Sequence, residues 1–325
     1  MNFRTAIKTP EDRQVLRHSD AVMLLGSCFS DNIGGKMRGA MMQATVNPFG
    51  TIYNPLSIAA SVKRIITGER IAGMTLFQQS GVWNSFAFHS RYSMADKDAA
   101  LERMNARIEE AHEALKHCKM LVVTLGTAVV YRLLATGEVV SNCHKVPQHE
   151  FSREMASVTQ MTTAMNEMVE ALHDYNPELH IVFTISPIRH IADGLETNSL
   201  SKAMLRVAAN NVIKGHKEYT EYFPSYEIVM DDLRDYRFYA TDMVHPNEVA
   251  VEYIWQTFQA TYLDDRAAQA IARCERVMKR INHRPMSNNS EVVDRFNNDT
   301  ATVVKNLVKE YPYLENLSEI KNFID

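Results

Sequence analysis

VMLLGSCFSDNIGGKM, residues 22–37, reads as a strand, a tight turn and the start of a helix. Val22–Leu25 is an apolar run short enough for a buried strand. Gly26 permits a backbone geometry and a close approach that a side chain would resist. Ser30 and Asp31 are capping residue types, so a helix begins near them. A junction of this kind sits in the crevice at the carboxyl edge of an α/β sheet. Ser27 stands at that junction, beside helix-start amides that lack intrahelical partners and favour negative charge. This is an address for a nucleophile whose oxyanion is held by backbone N–H groups, that of Ser27 included. Serine in a turn is more commonly a cap, so the reading needs a partner elsewhere.

The partner lies near the far end, in YATDMVHPNEVAVEYIWQTF, residues 239–258. Asp242 and His245 are three residues apart, so in a turn the carboxylate reaches the imidazole N–H. Pro246 reads as a first helical position and holds His245 extended at a loop end. Serine is protonated at pH 7 and needs a base, and the base needs a third group to fix its tautomer. Ser27, His245 and Asp242 supply all three parts. Cys28 is a competing nucleophile, because a thiolate is more reactive and a helix N-terminus lowers its pKa. Against Cys28 stand two expectations: that the residue after the turn points away from where Ser27 points, and that cysteine is commonly buried.

These residues resemble the SGNH hydrolase superfamily, with a Gly-Ser turn after the first strand and Asp-x-x-His before the last helix. The run Gly26, Ser27, Cys28, Phe29 is similar to the name-giving motif of the GSCFA family within it, with Ser30 where that name has Ala. WNSFAFHSRY (83–92), LGTAVVY (125–131), NCHKVP (142–147), TISPIRH (184–190) and DDLRDYRFYATDMVHP (231–246) extend the resemblance over nearly the whole chain. It implies a three-layer α/β/α sandwich around a mostly parallel, flavodoxin-like sheet, and an esterase-like triad. It also implies that Gly50, on the loop after the second strand, donates its N–H to the oxyanion. Where SGNH enzymes carry Gly-x-Asn this chain has Gly126-Thr127-Ala128, so three alternatives stand: Thr127 replaces the third donor, Asn47 does, or the third donor is missing.

The remaining sequence is consistent with that frame. At 325 residues and 46% hydrophobic composition the chain can bury a large α/β core with an appendage. A net charge of −4 without long runs of one sign gives no reason to expect nucleic acid, leaving small molecules or glycans as ligands. MNFRTAIKTPEDRQ has no apolar core of a signal peptide and no run is long enough to span a bilayer, so a cytoplasmic location is expected. Cys28, Cys118, Cys143 and Cys274 include no Cys-x-x-Cys pair, against disulfides and a zinc ribbon.

Strands are expected at 43–46, 119–125, 180–185 and in YEIVMDD (226–232), with helices at 56–67, 96–117, 154–173 and 198–215. Hairpins are expected around Gly81 and around Thr136-Gly137. Trp83 and His89 read as one wall of a substrate pocket, Arg189 and His190 as groups at a strand's carboxyl end, and His144 as a pocket-edge residue beside Cys143. No cofactor is required. Metal-assisted hydrolysis through His89, His144, His190, Asp242 and His245 lacks the short regular spacing of ligands, Asp242 and His245 excepted. Residues 1–262 are expected to form the hydrolase-like domain and 263–325 a helical extension packing on it, with helices at 263–282 and 291–309 joined by HRPMSNNS. The expected activity is serine-type ester hydrolysis or acyl transfer, with a glycan acetyl group as one candidate substrate. A glycan-binding or scaffold module that has lost turnover is the alternative.

Overall fold

The computed structural model describes residues 4–9, 13, 16–283, 286, 289–317, 320–321 and 323. Part of the expected 283–290 joining segment, at 284–285 and 287–288, lies outside the described residues.

The chain runs β1 (Ala21–Gly26), α1 (Cys28–Gly39), β2 (Ala44–Val46), α2 (Pro55–Thr67), β3 (Phe77–Gln79), β4 (Val82–Asn84), α3 (Lys97–Lys116) and β5 (Cys118–Leu125). It continues through β6 (Val129–Leu133), β7 (Val139–Val140), β8 (Phe151–Met155), α4 (Val158–Tyr175), β9 (His180–Ile185), α5 (Leu195–Gly215) and β10 (Thr220–Tyr222). The last elements are α6 (Ser225–Glu227), α7 (Glu248–Tyr262), α8 (Asp265–Ile281) and α9 (Ser290–Glu310).

Five parallel strands form the central sheet in the order β10-β9-β5-β1-β2. Counted along the chain this is the 2-1-3-4-5 order of a flavodoxin-like sheet. Strand alternation builds the two flanking layers. Met23, Leu25, Leu121, Val123, Ile181 and Phe183 face the side covered by α2, α3, α4 and α5, while Val22, Leu24, Met120, Val122 and Val182 face α1, α7 and α8. Because both faces are covered, β1 and β5 read as unbroken apolar runs rather than alternating ones. The protein is thus the three-layer sandwich expected from the resemblance.

The chain leaves β1 for β2 on one side and returns to β5 on the other. The switch point therefore lies between the carboxyl ends of β1 and β5, where Gly26-Ser27-Cys28 and Gly126-Thr127 come together. Two turns lock it. Asn47, at φ 43°, accepts the Gly26 N–H on Oδ1 at 2.9 Å, and the Tyr53 carbonyl accepts the N–H of both Gly126 (2.7 Å) and Thr127 (3.0 Å).

Two sequence expectations fail here. YEIVMDD is not a strand: α6 runs into a π-helical turn at Ile228–Leu233, and the edge strand is β10. The apolar run buries Ile228, Val229 and Leu233 against the α7 layer, while Asp232 is anchored to Arg4 (2.8 Å) and to the Tyr253 hydroxyl (2.7 Å). The helix expected from Glu154 begins at Val158, because Phe151–Met155 pairs with β6 and Ser157 closes a capping box with Gln160.

Beyond Tyr262, α8 lays Ala267 and Ile271 on the α1/α7 side, and Cys274, Val277, Val304, Leu307 and Leu314 enclose Met41 in a separate small core. Tyr313 Oη lies 2.9 Å from His18 Nδ1, whose Nε2 is 2.8 Å from the Ala40 carbonyl, so the C-terminal segment is hydrogen-bonded to the start of the sheet domain. No helix among the described residues is long and apolar enough to cross a membrane.

Candidate active site

The turn after β1 does not present Ser27. Ser27 is 1% exposed and is the N-cap of α1, with Oγ accepting the Phe29 N–H at 3.3 Å. Capping folds that side chain back over the helix start and away from the cleft. The next residue, at the first position of α1, projects from the helix end instead. Cys28 Sγ lies 3.7 Å from His245 Nε2.

His245 is held from the other side. Its Nδ1 is 2.6 Å from Asp242 Oδ2, and Asp242 Oδ1 accepts the N–H groups of Val244 (2.9 Å) and His245 (3.0 Å). The loop is fixed further by Ala240 N–H donating to the His245 carbonyl at 2.8 Å and by a bridge between Tyr239 and Pro246. Asn247, not Pro246, starts the helix, accepting the Ala250 N–H at 3.1 Å. Hydrogen bonding from the two backbone amides, then from the imidazole, pulls the Asp242 carboxyl down to about 2. An ionised Asp242 keeps the proton on Nδ1 and turns the Nε2 lone pair toward sulfur. Burial, then Asp31, raises the Cys28 thiol above its usual range, so the resting group is the thiol and needs a base.

Cys28 and His245 open onto a cleft of about 550 Å³, a volume typical of small-ligand sites. Of the five expected substrate contacts, Arg189 and His190 line it. Trp83, His89 and His144 lie outside it. Trp83 stacks under Lys97 at 4.8 Å, His89 Nδ1 accepts the Arg91 N–H at 3.1 Å, and His144 is buried with Nε2 2.8 Å from the Ser85 carbonyl. Aromatic composition cannot tell a pocket wall from a core edge, and these residues are the latter. Cys143 lines the cleft where its neighbour His144 does not.

Of the four expected oxyanion donors, Ser27, Gly50 and Asn47 are committed elsewhere, whereas Thr127 lines the cleft. Ser27 N–H donates to the Thr124 carbonyl (3.2 Å) and Gly50 N–H to the Asn47 carbonyl (2.8 Å). Thr127 Oγ1 accepts the Val129 N–H (3.1 Å) and lies 3.2 Å from Ser201 Oγ. Asn47 is fully buried beneath the turn and bonded to it. The Cys28 N–H is the first amide of α1, one of those that a helix leaves open.

Sequence reading missed Tyr53, Tyr131 and the Arg153–Asp193 ion pair, which also line the cleft. It missed Lys202, which is 3% exposed and donates to the carbonyls of Gly126 (2.6 Å) and Ser186 (2.8 Å) at the carboxyl ends of β5 and β9. A signal existed: Asn198, Lys202 and Leu205 share one helical stripe, so polar side chains occupy the core face of α5. Burial, with Arg189 adding repulsion, lowers the Lys202 ammonium to about 7. His190, whose Nε2 is buried without a partner among the described residues, is pushed down to about 4, mainly by burial and then by Lys202.

The Lys202 shift sets a direction for stability. Between about pH 7 and the ordinary lysine value the unfolded chain binds the extra proton, so stability rises with pH across that window and is flat below it. Urea unfolding of wild type and Lys202→Met is expected to show a difference that moves in wild type's favour from pH 7 to pH 9.5, by at most about 1.4 kcal/mol per pH unit. A constant difference would mean that Lys202 is charged throughout.

Residues 21–258 match the model of the GSCFA family. The chain belongs to the GSCFA family. No curated protein matches it. Among solved structures it is similar to an acetyl xylan esterase from the rumen bacterium Butyrivibrio proteoclasticus, with TM-score 0.38 and 10% identity over 75% of this chain and 63% of that one. It is also similar to a family two carbohydrate esterase from Clostridium thermocellum in complex with cellohexaose, with TM-score 0.37 and 12% identity over 79% of this chain and 65% of that one. A carbohydrate esterase family 2 enzyme from Corynascus thermopiles gives TM-score 0.39 and 12% identity over 83% and 68%. The GSCFA chain spans less than two thirds of the length of the first two. Among its described residues no group of three or more His, Cys, Asp or Glu is arranged to hold a metal ion.

Proposed function

We propose that this GSCFA protein is a hydrolase or acyltransferase acting on ester bonds, with Cys28 as nucleophile, His245 as base and Asp242 as the group that orients the base. The observation that carries the reading is the 3.7 Å approach of Cys28 Sγ to His245 Nε2 at the edge of an open cleft. In this mechanism Nε2 accepts the thiol proton as sulfur attacks the acyl carbonyl. The tetrahedral intermediate then collapses, and the alcohol leaves with the proton from His245. A thioester on Cys28 remains. Water, or an acceptor alcohol, gives its proton to His245 and attacks that thioester, releasing the acid or a new ester and restoring the thiol.

The Cys28 N–H is the proposed oxyanion donor. Tyr53 and Tyr131 line the cleft beside Arg189 and His190, and aromatic rings next to hydrogen-bonding side chains suit a sugar, so an acylated glycan is the leading substrate class.

The test is incubation with 4-nitrophenyl acetate and with acetylated monosaccharides, followed by acid quench and peptide mapping. Alcohol release with a hydroxylamine-labile acetyl group on the Cys28 peptide is the expected result. Steady turnover with no acyl group on Cys28 at any quench time would sink the thiol route. The commitment of Ser27, Gly50 and Asn47, three of the four expected oxyanion donors, favours a second reading, a glycan-binding module without turnover. Folded protein that binds acetylated sugars and hydrolyses none of the esters would establish it.

A further inference from the structure

A second concave surface lies away from the cleft and shares none of its lining residues. It runs between the edge strand β2 and α3, encloses about 580 Å³, and is lined by Arg38, Arg91, Arg103 and Arg107. Glu110 is the one carboxylate among its described lining residues, and it pairs with Arg107. A chain of net charge −4 therefore gathers four guanidinium groups around one groove.

The groups are positioned, not loose. Arg38 Nε donates to the Ala44 carbonyl at 3.1 Å and Arg91 Nη2 to the Asn47 carbonyl at 2.7 Å. Arg91 and Arg103 both pack over the Tyr92 ring, 5.4 and 5.5 Å from its centroid. Arg107 Nε is buried with no hydrogen-bond partner among the described residues. Each backbone contact uses a single N–H of a group that has five, leaving donors for a ligand. Crowded like charges raise the free energy of the empty groove, and an anion with several oxygens offsets that cost.

We propose that this groove binds a phosphate-bearing small molecule. The planar guanidinium fork matches phosphate oxygens in pairs, and a phosphate monoester carries about −1.5 to −2 charges at pH 7. The volume falls within the range of small-ligand sites. The same chemistry is offered by a free metabolite and by a phospholipid headgroup. The concave shape of the groove, with Tyr92 beneath two of the arginines, favours the free molecule.

Thermal unfolding with sodium pyrophosphate as probe, at ionic strength held constant with sodium chloride, tests this. Wild type is expected to show a saturable rise in Tm of at least about 2 °C. Arg38→Gln/Arg103→Gln is expected to lose the rise while staying folded, since both side chains are exposed. Should that variant fail to fold, Arg38→Lys/Arg103→Lys keeps the charge and loses the fork, and its pyrophosphate Kd by calorimetry is expected to weaken about tenfold or more. An equal rise in the double glutamine variant overturns the site, as does a rise that sodium chloride alone reproduces or a lysine variant with wild-type affinity. Co-sedimentation with phosphatidylglycerol vesicles that pyrophosphate does not compete overturns it in favour of a membrane surface.

Discussion

Cys28→Ala is expected to abolish ester turnover, by about 10³-fold or more in kcat/KM, while Ser27→Ala stays within about tenfold of wild type. The two side chains are neighbours, yet only one reaches the imidazole. Ser27 Oγ accepts a helix amide and is buried, whereas Cys28 Sγ lies 3.7 Å from His245 Nε2. Removing the cap costs about 0.5–2 kcal/mol of stability and leaves the reacting atoms in place. Removing the thiol deletes the atom that forms the covalent intermediate. An independent readout uses iodoacetamide at pH 7. Cys118 and Cys274 are buried and pushed up to about 12, so Cys28 is expected to be alkylated ahead of them, faster in wild type than in His245→Ala. The opposite mutant pattern, activity lost in Ser27→Ala and kept in Cys28→Ala, would return the nucleophile to serine and sink the thiol mechanism.

An open parallel sheet alternating with helices was legible because strand–turn–helix alternation and buried apolar runs are local signals, whereas the sandwich and its flavodoxin-like order came with the family resemblance. The loop that carries Asp242 and His245 was legible for the same reason: three residues of spacing bring a carboxylate to an imidazole whatever the rest of the chain does. Ser27 is placed by a rule of local geometry that points away from the cleft. A small hydroxyl residue immediately before a helix is favoured as its cap, and here Ser27 takes that role while Cys28 reaches toward His245. Which amides near the turn stay open was illegible because an amide's partner depends on tertiary placement. Gly50 N–H is lost to Asn47, and Ser27 N–H to the neighbouring strand. Lys202 and the arginine groove depend on long-range packing of α5 and α3 against strand ends. Within α3 an arginine reads as a solvated side chain, and for Lys202 only the stripe it shares with Asn198 and Leu205 points to the core face. The strand expected at YEIVMDD failed for a related reason, since a short apolar run fits a buried helical turn as well as a buried strand.

Three glycines near the start of α1 look alike in the sequence and are expected to behave very differently. Gly26→Ala is expected to destabilise the protein by more than about 4 kcal/mol, enough to leave little soluble material. Gly26 has φ +134°, and a Cβ there would sit 2.1 Å from the Thr124 carbonyl oxygen. That oxygen is backbone of the adjacent central strand and already accepts the Ser27 N–H, so no side-chain rotation relieves the contact. Relief would require β1 to move off β5, breaking the register that aligns Gly26 with Thr124 and displacing Cys28 from His245. At Gly34 an added Cβ would meet both Val46 methyls, at 2.3 and 2.8 Å, but Val46 lies on the edge strand β2, which has a neighbour on one side only and can shift, so a smaller loss is expected. Gly35 faces open space within α1, and Gly35→Ala is expected to stabilise by about 0.4–1 kcal/mol by restricting the unfolded chain. Urea unfolding of the three variants, with soluble yield as the fallback for Gly26→Ala, reads the order directly. A Gly26→Ala protein with wild-type stability would mean that β1 and β5 are not packed this closely, and the placement of Cys28 against His245 would lose its support along with them.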